Sequence, residues 1–239
     1  MVTRSPRRPA ALALLATSFL CAVASGAHAA SVEVRIEDRS GQPLEHAVIS
    51  LHDGVARRAP AGTRATIDQR ARQFAPTVVP IQAGTDVAFP NSDDVRHHVY
   101  SFSHPNAFEL KLYHGEPSRP VRFDEPGIVV LGCNIHDGML GYLHVVDTPL
   151  FAKSAVSGTA RIDGAAEGDY TLQVWHPDLG TRYLRRPVAL AGALTRFVVT
   201  LDPADADGAS LAAASPSPAR SAPATGDAAL IEELGSLFD

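Results

Sequence analysis

Three side chains of different metal-binding chemistry lie within one seven-residue stretch of this 239-residue chain. The stretch, CNIHDGM, begins at Cys133, contains His136 and ends at Met139. A thiolate, an imidazole and a thioether form a donor set that suits a soft, redox-active metal, copper above all. The chain must therefore fold so that this stretch, with a further ligand from elsewhere, surrounds one ion.

The N-terminal residues have the three parts of a secretory signal peptide. Three arginines precede an apolar run over residues 10–23, and a small-x-small triplet ends at Ala29. We predict that residues 1–29 are removed and that the protein is periplasmic. Because Cys133 is then the sole cysteine, it cannot form an internal disulfide, and a free thiol would be a liability in an oxidising compartment. Binding a metal would resolve this.

The charge balance argues against some partners. Without the three leader arginines, 18 basic residues stand against 26 acidic ones, a net charge of −8 with histidine neutral. Such a surface disfavours nucleic acid and anionic membranes and allows steering toward a basic protein. No stretch beyond the leader is long and apolar enough to span a bilayer.

Short alternating segments recur along most of the chain and predict an all-β fold, a Greek-key β-sandwich. Residues 53–70 and 104–120 are polar or rich in Pro, His and Gly, and are expected to be irregular. The segments expected to form strands are 31–51 (two strands around a turn), 78–89 (two strands), 98–102, 128–131, 140–146, 158–162, 170–175, 182–188 and 194–201.

The C-terminal part has a different composition. Residues 203–226 are mostly Ala, Ser, Pro, Asp and Gly, which cannot bury a core and predict a disordered linker. Residues 227–239 place five apolar side chains on one helical face and predict a short amphipathic helix. That helix is either a frayed tail or a peptide that docks into a partner.

A copper site with a thiolate needs two imidazoles, so a second histidine must approach Cys133. The candidates are His97 and His98, which are adjacent in a predicted strand. Successive side chains of a strand point to opposite faces, so only one of the two can face the cysteine. If Val99 packs inward, His97 shares its face and is favoured, while His98 remains the alternative.

These two segments resemble the cupredoxins. Cys-x2-His-x2-Met is similar to the ligand loop of amicyanin, and Phe-x-Asn-x5-His-x-Val over residues 89–99 resembles plastocyanin. The resemblance covers about residues 70–147 and implies one type 1 copper ion held by His97, Cys133, His136 and Met139. It departs at His98, where the family has an asparagine that ties the two ligand loops together.

A second resemblance flanks the first. The patterns within 38–48 and 168–177 resemble the opening and closing segments of a carboxypeptidase regulatory-like, transthyretin-type β-sandwich. This predicts a small module made of residues 30–69 plus 150–202, with the cupredoxin domain nested between its halves. The plainer alternative is one domain over residues 31–147 followed by a separate hairpin unit.

The resemblances imply an exported single-electron carrier rather than an enzyme, of the kind labelled methylamine utilisation protein. The implied partner is a dehydrogenase or a c-type cytochrome, and the C-terminal helix is a candidate docking element for it. Two alternatives stay open: a copper-binding or copper-delivery module, and an accessory subunit without redox turnover.

Overall fold

The computed structural model describes residues 30–117 and 119–202, which form an all-β fold, as predicted. The predicted leader (1–29), linker (203–226) and terminal helix (227–239) lie outside these residues. Within the described part, no helix is of a length and apolarity that would let it cross a bilayer. The strands are β1 (Ala30–Asp38), β2 (Val48–His52), β3 (Arg64–Thr66), β4 (Asp68–Arg70), β5 (Gln73–Ala75), β6 (Val78–Gln82), β7 (Thr85–Ala88), β8 (His97–Ser101), β9 (Phe108–Tyr113), β10 (Val121–Phe123), β11 (Gly127–Cys133), β12 (Leu140–Val146), β13 (Phe151–Lys153), β14 (Thr159–Ala165), β15 (Gly168–Trp175), β16 (Leu184–Leu190) and β17 (Leu194–Leu201).

Strands β3 to β12 form a sandwich that carries the CNIHDGM stretch. A five-stranded sheet has the order β6-β12-β11-β8-β9, and a three-stranded sheet has the order β10-β7-β3. Their facing side chains share one apolar core that includes Phe89, Phe123, Leu131 and Leu143. A β4–β5 hairpin lies beside it, and its Phe74 enters the same core.

Strand β11 is apolar throughout because both of its faces are covered. Val129, Leu131 and Cys133 belong to the core of the sandwich just described, whereas Ile128 belongs to a second core. Alternate residues of a strand face opposite ways, so a strand between two cores reads as a continuous apolar run. Cys133 is therefore the last residue of a strand that is buried on both faces.

The second core lies between two further sheets, ordered β14-β1-β17 and β13-β2-β15-β16. Their strands come from both ends of the described chain, with β3 to β12 inserted between β2 and β13. The second sandwich contacts the metal-bearing sandwich at Trp175. This residue is fully buried, and its ring lies 5.7 Å from that of Tyr142 on β12. The Lys153 ammonium also donates to the Val78 carbonyl across this junction.

Both segments expected to be irregular contain strands. Residues 53–70 include β3 and β4, and β3 pairs with β7, so this segment contributes a strand to the metal-bearing sandwich. Residues 104–120 include β9, an edge strand. The three-residue strands are too short for a periodicity, and an edge strand with Glu109 and Lys111 on its exposed positions lacks a strong apolar signal.

Candidate metal centre

His97 enters the site because strand β8 alternates. His97, Val99 and Ser101 are buried on one face, and Val99 packs in the sandwich core. His98 lies on the other face, where its Nε2 is 2.9 Å from Glu109 Oε1. The structure thus directs His97 toward the cysteine, whereas the His98 ring lies within hydrogen-bond distance of Glu109 on the opposite face.

Cys133 approaches His97 across the sheet, although 36 residues separate them in sequence. Strand β11 pairs with β8, and Cys133 lies opposite Val99. The Cys133 Sγ atom is 3.7 Å from His97 Nδ1. The cysteine is 8% exposed and His97 is 0% exposed, so water has little access to either donor atom.

The loop after Cys133 folds His136 back over the cysteine. The Met139 backbone N–H donates to the His136 carbonyl at 3.2 Å, which closes a tight turn. Gly138 has φ +78°, a left-handed conformation that costs glycine little and other residues more. As a result His136 Nδ1 lies 3.7 Å from Cys133 Sγ, while its ring stays partly exposed to solvent.

Three donor atoms therefore converge on one point. His97 Nδ1 and His136 Nδ1 are 3.1 Å apart, and each is 3.7 Å from Cys133 Sγ. Among the described residues, these three form the group of His, Cys and acidic side chains whose donor atoms are close enough to share an ion. Metal–ligand bonds of about 2.0 Å to nitrogen and about 2.3 Å to sulfur, spread at roughly 100–120°, span these separations. The donor set fits one ion in a near-trigonal plane.

Met139 lies in the same apolar core cluster as Cys133 and is 2% exposed. Burial at the end of the ligand loop keeps its thioether out of solvent. A thioether is the weak axial donor that accompanies two imidazoles and a thiolate in blue-copper sites. Its role as the fourth ligand stays a prediction.

Tyr113 supports the strand that carries His97 and is not available as a ligand. It lies opposite His97 in the β8–β9 pairing, and its hydroxyl donates to the Phe89 carbonyl at 2.6 Å. The Gln69 amide donates to the same hydroxyl oxygen. Burial, together with the nearby Cys133, raises the pKa of Tyr113 to about 12 against the opposing Gln69 bond, so the phenol stays protonated.

A carboxylate that the sequence reasoning did not single out stands behind His97. Asp93 Oδ2 is 2.7 Å from His97 Nε2, the ring nitrogen that faces away from Cys133. The loop that carries Asp93 is held by Asn91, whose amide donates to the carbonyls of Val95 (2.8 Å) and Tyr113 (3.0 Å). The sequence offered one signal, an acid four residues before a candidate ligand, but such spacing is common in loops.

Comparison with protein-family models and with curated proteins found no match. Among solved structures, a purple cupredoxin from Nitrosopumilus maritimus is similar at 20% identity and a TM-score of 0.30, over 35% of this chain and 98% of that one. A reduced variant of amicyanin is similar at 17% identity and a TM-score of 0.32, over 41% and 97%. A copper-containing nitrite reductase from Thermus scotoductus is similar at 23% identity and a TM-score of 0.35, over 48% of this chain and 28% of that one.

Proposed function

We propose that this protein is an exported type 1 copper protein that carries single electrons between periplasmic redox partners. The observation that carries the proposal is the convergence of two imidazole nitrogens and one cysteine sulfur within 3.7 Å of one another. Met139 is proposed as the weak axial ligand. Zinc fits less well, because its usual donors do not include a thioether.

The residues around the site suit electron transfer. When bound, a copper ion would supply a one-electron couple between Cu(I) and Cu(II). His97 and Cys133 are buried and fixed by paired strands, so the donors need little rearrangement when the charge of the ion changes. His136 is the ligand with solvent access, and we propose its ring edge as the place where electrons enter and leave.

The proposed compartment follows from the predicted leader peptide, and the proposed redox partner follows from the resemblance to the cupredoxins. The signal peptide predicted over residues 1–29 would deliver the protein to the periplasm. A dehydrogenase or a c-type cytochrome is the proposed partner, and amine oxidation is the proposed pathway. The net negative charge of the chain without its leader supports a partner with a basic docking face.

Protein-film voltammetry tests this function. The purified protein loaded with one equivalent of copper should give a reversible one-electron wave, and the zinc-loaded protein should give none. Copper should also stay bound through repeated reduction in the presence of a Cu(I) chelator. Loss of copper to the chelator at the first reduction would contradict electron carriage and support copper delivery instead.

A further inference from the structure

Both ring nitrogens of His97 have a polar neighbour. Its Nδ1 faces Cys133 Sγ and His136 Nδ1, and its Nε2 lies 2.7 Å from Asp93 Oδ2. The ring is 0% exposed, and the Asp93 side chain is 13% exposed. Asp93 therefore stands directly behind His97, on the side opposite the proposed ion.

The carboxylate of Asp93 is itself fixed by the β4–β5 hairpin. Its Oδ1 accepts from the Ala71 backbone N–H at 2.6 Å, and its Oδ2 accepts from the Arg72 backbone N–H at 2.9 Å. Ala71 and Arg72 have φ +51° and +59°, a left-handed conformation that costs residues other than glycine about 1–2 kcal/mol each. This turn aims two consecutive N–H groups at one carboxylate.

These contacts define which nitrogen of His97 carries the proton. With N–H donors on both oxygens, Asp93 acts as an ionised, acceptor-only carboxylate. A neutral imidazole has one N–H, so that proton lies on Nε2 and donates to Asp93. The lone pair on Nδ1 is then directed at Cys133 and His136.

We infer that Asp93 is a positioning residue of the copper site, an inference that rests on the proposed function. It fixes the His97 tautomer that offers Nδ1 to the ion, and its negative charge favours Cu(II) over Cu(I). The physical reason is that a carboxylate hydrogen-bonded to a metal-binding imidazole makes that imidazole a more basic ligand. The more highly charged ion gains more from such a ligand, so the carboxylate lowers the reduction potential.

The test is the reduction potential of Asp93→Asn against a matched control. Asp94→Asn removes the same charge from the next residue, which is exposed and carries no bond to His97. Loss of such a partner weakens metal binding about 10–100-fold. If Cu(II) affinity falls tenfold relative to Cu(I), the potential rises by about 59 mV. We expect that rise or more in Asp93→Asn and a much smaller one in Asp94→Asn. Equal shifts in the two variants, or none in Asp93→Asn, would overturn the inference.

A second measurement uses the unaltered protein and so does not depend on whether Asp93→Asn folds. Long-range ¹H–¹⁵N correlation spectra of the metal-free protein, in which no ion fixes the tautomer, should show the His97 proton on Nε2, facing Asp93. A proton on Nδ1 would overturn the inference. A protein that binds copper and cycles reversibly but fails these two tests refutes the role of Asp93 alone. A protein without a reversible copper couple refutes the proposed function as well.

Discussion

The imidazole of His144 and the indole of Trp175 pack edge to face, with their ring centroids 5.4 Å apart. His144 lies on β12, in the sheet that also carries Cys133 on β11, and Trp175 ends β15 of the second sandwich. His144 also contacts the Tyr183 ring at 5.4 Å and is 2% exposed. This histidine is therefore part of the junction that joins the metal-bearing sandwich to the sandwich formed from both ends of the described chain.

The first prediction is that His144 makes the protein sensitive to mild acid. Burial lowers the pKa of His144 from 6.5 to about 3, so the folded protein keeps it neutral where the unfolded chain takes up a proton. Stability is then lost as the pH falls below 6.5. At pH 5 the loss from this group is about 2 kcal/mol. Between pH 7.5 and pH 5, the free energy of unfolding of His144→Phe should therefore fall by about 2 kcal/mol less than that of the unaltered protein. Urea denaturation of the metal-free proteins measures both values.

The control for this prediction is His104→Phe, which changes an exposed histidine. Between pH 7.5 and pH 5, this variant should lose as much free energy of unfolding as the unaltered protein does. The lowered pKa values of His52 and His176, both caused chiefly by burial, add acid sensitivity that all three proteins share. The same slope of stability against pH in His144→Phe and in the unaltered protein would contradict the buried neutral state of His144.

The second prediction concerns a close approach in the flanking sandwich. Gly158 has φ +72°, and a Cβ there would lie 2.4 Å from the Ile36 carbonyl oxygen, which is backbone and cannot move aside. Gly164 has φ +81° but nothing within 4 Å of a Cβ. Alanine should therefore cost only the left-handed penalty, about 1–2 kcal/mol, at Gly164. At Gly158 it should cost at least about 3 kcal/mol, the upper end of the range for most single substitutions, because the clash adds to the backbone strain.

Urea denaturation of the two alanine variants gives this comparison directly, because their backbone strain is similar and only the clash differs. Equal losses in the free energy of unfolding would show that β1 does not approach Gly158 as closely as the structure has it.

The third prediction separates the two adjacent histidines. His97→Ala removes a buried donor atom 3.7 Å from Cys133 Sγ, so it should abolish tight Cu(II) binding and the colour that comes with it. His98→Ala removes a surface pair with Glu109 and should leave both unchanged. Copper titration followed by visible absorption measures both variants. A colourless His98→Ala protein would show that the alternative histidine is the ligand.

Much of the candidate site could be predicted from the sequence because three of the proposed ligands are local. Cys133, His136 and Met139 share one loop, and strand alternation favours His97 over His98. Asp93 could not be predicted in the same way. Its position depends on a hairpin turn at residues 71–72 whose left-handed backbone carries neither glycine nor asparagine, and no local pattern marks such a turn.

For the fold, the strands could be predicted from the sequence, but their pairing could not. Most strands longer than four residues have an alternating or continuous apolar pattern, and they were predicted. Strand pairing is not local: β1 pairs in parallel with β17, more than 150 residues away in the sequence, so Val34 lies opposite Phe197. No periodicity within either segment specifies that partner. The short motifs near both ends suggested the nested arrangement only through their resemblance to a known module.

The visible and EPR spectra of the copper-loaded protein, compared with those of Cys133→Ser, test the central claim most directly. A thiolate bound to Cu(II) in a trigonal two-histidine site should give an intense charge-transfer band and a narrow copper hyperfine splitting. Cys133→Ser has nearly the same shape but lacks the sulfur, so both signals should disappear. A colourless protein at full copper occupancy, or a band that survives in Cys133→Ser, would contradict the account.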